Sequence, residues 1–178
     1  MDRIRYALIA TLAVVVIPHS ASAQDTRTHI RSQLLGHFDE SIGKVIALAE
    51  AMPQERYDWR PEGEAMSVAR VYGHIARYNF YYPQSSLGMA PPAGIRLDTL
   101  EAMRDKAQIV QLLKRSADHV RRAMNDMPAE QLEAMTTLYG RSVPRWAVML
   151  QLVAHMNEHL GQSIAYARSN KVVPPWSR

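Results

Sequence analysis

Between Trp146 and Arg168 the chain reads WAVMLQLVAHMNEHLGQSIAYAR, with no proline to interrupt a helix. Val148, Leu152, His155, His159, Gln162 and Tyr166 recur in steps of four and three, which puts them on one stripe of that helix. Residues four apart stack one above the other, so His155 and His159 can direct their rings at a single point. The stripe that should face a packed interior therefore carries two imidazoles. Burying them is unfavourable unless their ring nitrogens are bound, and a divalent metal ion does this. Such a helix must pack in a bundle that brings a third ligand from another segment. The chain has no cysteine, so that ligand has to be His, Asp or Glu.

The rest of the chain supplies the packing partners. Ile30, Leu34, Phe38, Ile42, Val45, Leu48 and Met52 predict a first helix from about His29 to Met52, ended by Pro53. His37, beside Phe38 on the flank of that stripe, reads as a surface histidine, with the rim of a site as the other reading. The connector from Pro53 to Glu64 is rich in breakers and holds Tyr57 and Trp59, which are expected to pack over the bundle end. A second helix is expected from Ser67, as N-cap, to Pro83. Val68, Val71, Ile75, Tyr78 and Tyr82 face inward there, and His74 lies beside Ile75. Tyr72, Tyr78, Tyr81 and Tyr82 read mainly as packing.

Gln84 to Arg96, with Pro91, Pro92, Gly88 and Gly94, has no periodicity and reads as a long crossover loop. Asp98-Thr99-Leu100-Glu101 has the form of a capping box, and Asp105 with Gln108 repeats it at the start of a third helix. His119, among Lys114, Arg115, Arg121 and Arg122, reads as part of a solvated face. Pro128 opens a short helical turn through Ala134, and Thr136 to Gly140 reads as a loop. The fourth helix opens at Ser142 or Val143-Pro144 and runs to about Asn170. No strand pair, internal repeat or glycine-rich phosphate loop is evident. The expected fold is all-α, a four-helix bundle.

Met1 to Ala23 does not belong to that bundle. Arg3 and Arg5 precede an apolar run from Ala7 to Ile17, then Pro18 and Ala21-Ser22-Ala23, the pattern of a signal peptide cleaved before Gln24. The apolar run falls short of the roughly 20 residues that span a bilayer. The expected product is an exported single domain, residues 24–178, periplasmic or extracellular and not membrane-bound after cleavage. Removal of Asp2, Arg3 and Arg5 lowers the net charge from +4 to +3. The remaining basic residues are scattered along helices, so the sequence does not describe a nucleic-acid-binding protein.

His74 from the second helix completes a set with His155 and His159. Three neutral imidazoles leave a four-coordinate zinc ion with one open position, the arrangement of catalytic sites. Nickel, iron and manganese accept the same donors. Glu158 lies one turn from His155 and one residue before His159, which turns it partly away. It reads as a surface glutamate, or else as an acceptor behind a ligand or a general base. Gln162 either orients a ligand histidine or caps the core. An open metal position beside Tyr78, Tyr82 or Tyr166 would indicate an enzyme with a small-molecule substrate. A closed one would indicate a scavenger, sensor or carrier, and three histidines satisfied within a metal-free core are the remaining alternative.

Trp59-Arg60-Pro61, Ser67, His74, the H-x-x-x-H-x-G-Q run from His155 through Gly161-Gln162, Tyr166, Arg168 and Pro174-Pro175-Trp176 together resemble the DinB/YfiT-like family of metal-dependent four-helix proteins. The resemblance covers nearly all of the chain after residue 23. It implies an up-down-down-up bundle with the long crossover between helices 2 and 3. It also implies zinc or nickel held by His74, His155 and His159, and often a homodimer. Some members of that family are thiol-dependent S-transferases or isomerases using mycothiol, bacillithiol or glutathione. The export signal departs from this pattern, because low-molecular-weight thiols are mainly cytosolic, and it brings a hydrolase forward as an equal expectation.

Overall fold

A computed structural model of the protein describes residues 19–177. Most of the leader read over residues 1–23 lies outside them. Four helices dominate: α1 (His19–Ala51), α2 (Val68–Leu87), α3 (Lys106–Asn125) and α4 (Arg145–Ser169). Each of α1 and α2 packs against both α3 and α4. Lys114 pairs with Glu50 across the α3 start and α1 end at 2.7 Å, which fixes those helices as antiparallel. The α2 start lies beside residues 100–101 and its far end beside Thr136, so α2 and α3 run the same way. The result is an up-down-down-up bundle with the crossover between α2 and α3.

Local chemistry sets the helix ends. The Ser67 hydroxyl accepts from the Arg70 amide at 3.3 Å, and the Asp105 carboxylate accepts from the Gln108 amide at 2.8 Å. Both caps satisfy an amide that has no partner within its helix. Between α1 and α2 the buried Tyr57 donates to the Ala49 carbonyl at 2.7 Å, and the Trp59 ring meets Tyr166 edge-on at 5.2 Å. The connector thus closes one end of the bundle. The core is drawn from all four helices, with Phe38, Ile42, Ile75, Leu113, Val148 and Met156 fully buried. No described helix is long and apolar enough to cross a membrane.

Three elements depart from the sequence reading. Helix α1 begins earlier than His29, because no proline or glycine separates His19 from Leu35. Helix α2 passes through Pro83 and ends at Leu87. A proline removes one helical hydrogen bond without preventing the next residues from continuing, and the turn is closed by Gly88 in the left-handed region at φ 74°. The Gly88 and Met89 amides both donate to the Pro83 carbonyl.

The third departure is a β-hairpin where a loop was expected. Strands β1 (Met135–Leu138) and β2 (Arg141–Pro144) pair antiparallel with Leu138 opposite Arg141. The two turn residues, Tyr139 and Gly140, have φ of 51° and 74°. Two consecutive positive φ values give the type I′ turn that matches the twist of paired strands. With four residues each and mostly exposed faces, these strands carry too little alternation to be read as strands.

Candidate metal centre

Ser67 starts α2 two turns before His74, and Pro144 starts α4 ahead of His155 and His159. Both helices turn these residues toward each other. The ring centroids lie 5.2 Å apart for His74 and His155, 4.8 Å for His74 and His159, and 4.6 Å for His155 and His159. One nitrogen from each ring falls within 4.8 Å of the others, the single such group of histidine, aspartate and glutamate ligands among the described residues. At a metal–nitrogen distance of about 2.0 Å, tetrahedral ligands stand roughly 3.3 Å apart. Closure of the widest gap by about an ångström and a half would bring the three nitrogens to that spacing.

The outer ring nitrogens show why these donors suit a metal. His74 Nδ1 lies 2.9 Å from Glu101 Oε1. Burial would raise the Glu101 pKa, but hydrogen bonds from His74, Arg77 and Arg70 outweigh it and hold the carboxyl below its ordinary range. An ionised carboxylate only accepts, so the proton sits on Nδ1 and the Nε2 lone pair is left for the centre. His159 Nδ1 lies 2.9 Å from Gln162 Oε1, and the Gln162 amide donates onward to the Tyr166 hydroxyl at 3.0 Å. Gln162 therefore fixes the orientation of the His159 ring. Outer hydrogen bonds of this kind accompany metal-bound histidines generally.

Burial and neighbouring charges keep the His74 and His155 rings neutral. His155 is pushed down to about 3, first by burial and then by the neighbouring His159 and His74. Burial also lowers His74, against the opposing pull of Glu101. Neutral imidazoles are the form that binds metal. His155 and His159 are 8 % and 7 % exposed, while His74 is half-buried at 19 % of its side chain.

The other sequence candidates divide. The Tyr78 ring packs on both His74 and His155, at 4.6 and 4.8 Å between centroids. Tyr82 meets His155 edge-on at 5.8 Å, and its hydroxyl pairs with that of Tyr139 at the hairpin tip. Tyr166 touches the centre only through Gln162. Glu158 and His37 are exposed, and neither joins the cluster. His119 corrects the sequence reading: it is 2 % exposed, stacked on Phe80 at 5.3 Å and hydrogen-bonded to the Met89 backbone. The extra turn of α2 beyond Pro83 brings Met89 over it, covering a ring that charge pattern alone assigns to solvent.

Glu101 was missed as a site residue. Its only sequence signal was the acidic fourth position of Asp98-Thr99-Leu100-Glu101, which reads as a cap. The structure makes a short 3₁₀ turn of Leu100–Ala102 instead, with no side-chain cap. That turn rests on α2 at Gly73, where a Cβ would meet the Leu100 carbonyl oxygen at 2.5 Å. The absence of a side chain at Gly73 lets the crossover approach closely enough for Glu101 to reach His74.

Comparison with known proteins adds the following. Residues 37–163 match the family model of the DinB superfamily. The fold is similar to that of a DinB-like protein from Bacillus cereus ATCC 10987, at 15 % identity and a TM-score of 0.70 over 80 % of this chain and 93 % of that one. It is also similar to a DinB-like protein from Bacillus subtilis, at 21 % identity and a TM-score of 0.63 over 79 % and 93 %. No curated protein matches the chain.

Proposed function

This chain belongs to the DinB superfamily, and we propose that it is an exported metal-dependent enzyme whose divalent ion, zinc or nickel, is held by His74, His155 and His159. The observation that supports this is the convergence of three histidine nitrogens within 4.8 Å, with the outer nitrogens of His74 and His159 engaged by Glu101 and Gln162. Three protein ligands leave a coordination position open for a reactant. A divalent ion there would act as a Lewis acid and acidify a bound water or thiol. The chain's own contribution is to keep His74 and His155 neutral, turn the three donors inward and restrict water by packing the Tyr78 ring on His74 and His155 and the Tyr82 ring on His155. A cavity of about 230 Å³ lined by Tyr81, Tyr82, Ser85 and Tyr139 shares the Tyr82 ring with the histidine cluster. The leader pattern of residues 1–23 puts hydrolysis on an equal footing with thiol transfer.

A non-catalytic metal carrier is the second reading, and the low exposure of His155 and His159 favours it. Two measurements separate them. Residues 24–178, purified without a metal-binding tag, should carry about one equivalent of zinc or nickel that a chelator removes and that His74→Ala lacks. Cobalt substituted at the site should then change its visible spectrum when azide is added, since an open position admits the anion. A spectrum indifferent to azide would favour the carrier. Failure to take up any metal would remove both readings.

A further inference from the structure

We propose that Glu101 is the positioning residue of this centre: from the crossover it fixes the tautomer and orientation of His74, so that Nε2 faces His155 and His159. The proposal rests on the metal reading above. Its argument begins with an asymmetry between the ligands. His155 and His159 share one helix, so the helix itself sets their spacing. His74 stands alone on α2, 19 % exposed, and needs a separate constraint. Glu101 provides it at 2.9 Å.

The carboxylate is itself held. Arg77 Nη1 donates to Oε1 at 3.0 Å and Arg70 Nε to Oε2 at 3.1 Å, and the Glu101 side chain is only 18 % exposed. Arg70, His74 and Arg77 are spaced by four and three on α2 and converge on this acid. Two guanidinium groups donate and cannot accept, so the group between them has to stay an acceptor toward His74 as well. The support behind the other rings is weaker. His159 has a neutral amide, and His155 has no hydrogen bond to its ring among the described residues. Among the described residues Glu101 is therefore the sole charged group backing one of the three rings, and it makes His74 the most electron-rich donor.

The test uses residues 24–178, metal-free and zinc-loaded, as wild type, Glu101→Ala and Glu101→Gln. In the metal-free protein at about pH 8, above the ordinary histidine range, the ¹⁵N shifts of His74 should report the Nδ1–H tautomer. Glu101→Ala should move it toward Nε2–H, the form an unassisted imidazole prefers. Zinc affinity should fall about 10- to 100-fold in Glu101→Ala. Glu101→Gln, which keeps an acceptor oxygen but loses the charge, should fall between and guards against a misfolded alanine variant. An unchanged His74 tautomer, or a zinc affinity within about threefold of wild type in both variants, would overturn the proposal. A tautomer that shifts as expected in a wild-type chain binding no zinc would leave the positioning intact and remove the metal reading instead.

Discussion

The His155 ring is 8 % exposed, depressed to about 3 by burial and by two neighbouring histidines, and held by packing against Tyr78 and Tyr82. Replacing it with alanine leaves two imidazoles, which hold a divalent ion far less well than three. His155→Ala should therefore abolish stoichiometric zinc binding in a calorimetric titration, whereas His37→Ala, at an exposed position, should leave it unchanged. His119 yields a different expectation. Burial, aided by Arg122 and opposed by the Met89 hydrogen bond, lowers its pKa in the folded protein. The unfolded chain then binds more protons below the ordinary value of about 6.5, so stability is full above that pH and is lost as pH falls through it. His74 and His155 act with the same sign in the metal-free protein. Urea midpoints between about pH 8 and 5 should consequently decline less for His119→Leu than for wild type. Equal declines would place His119 in contact with water after all. His155 and His159 were legible as neighbours because their four-residue spacing is a property of helices, and His74 was legible as facing them because it lies beside Ile75 on the inward side of the second helix. His119 and Glu101 were not, because what covers the first and what the second reaches are both decided by how the crossover lies on α2.

At the scale of elements, the caps at Ser67 and Asp105 and the start of α4 at Pro144 were readable from local chemistry alone. The continuation of α2 past Pro83 depended on Gly88, five residues further on, and the hairpin depended on a turn with tyrosine at a position that favours asparagine or glycine. A left-handed conformation at a residue with a Cβ is unfavourable by about 1–2 kcal/mol, and the Tyr82 hydroxyl contact offsets it. The decisive approach between elements is that of the Leu100 turn on Gly73. A methyl group there meets backbone rather than a yielding side chain. Gly73→Ala should destabilise the protein by about 1–3 kcal/mol by chemical denaturation. It should also weaken zinc binding by displacing Glu101, a coupling that no other glycine-to-alanine change with open space around it, such as Gly43→Ala, should reproduce.

For the molecule as a whole, the proposed ion joins α2 to α4, two helices that no short loop connects. A ligand that binds only the folded chain stabilises it by about 2.7 kcal/mol at a hundredfold excess over its dissociation constant. For a domain of this size that corresponds to roughly 5–10 °C in Tm. Chelator should lower the melting temperature of the wild type by about that amount and leave His159→Ala unmoved.

The Leu100–Glu101 turn also divides the crossover into two stretches with different histories open to them. Surface connections are ordinarily where residues are gained and lost without harm. From Ala90 to Gly94, after the Met89 contact with His119 and before Ile95 packs on the core, the chain has that freedom, since an added residue only lengthens the loop. From Leu100 to the cap at Asp105 an insertion or deletion changes which side chain meets His74 and shifts the start of α3. Length variation should accumulate in the first stretch, and the second should keep its count.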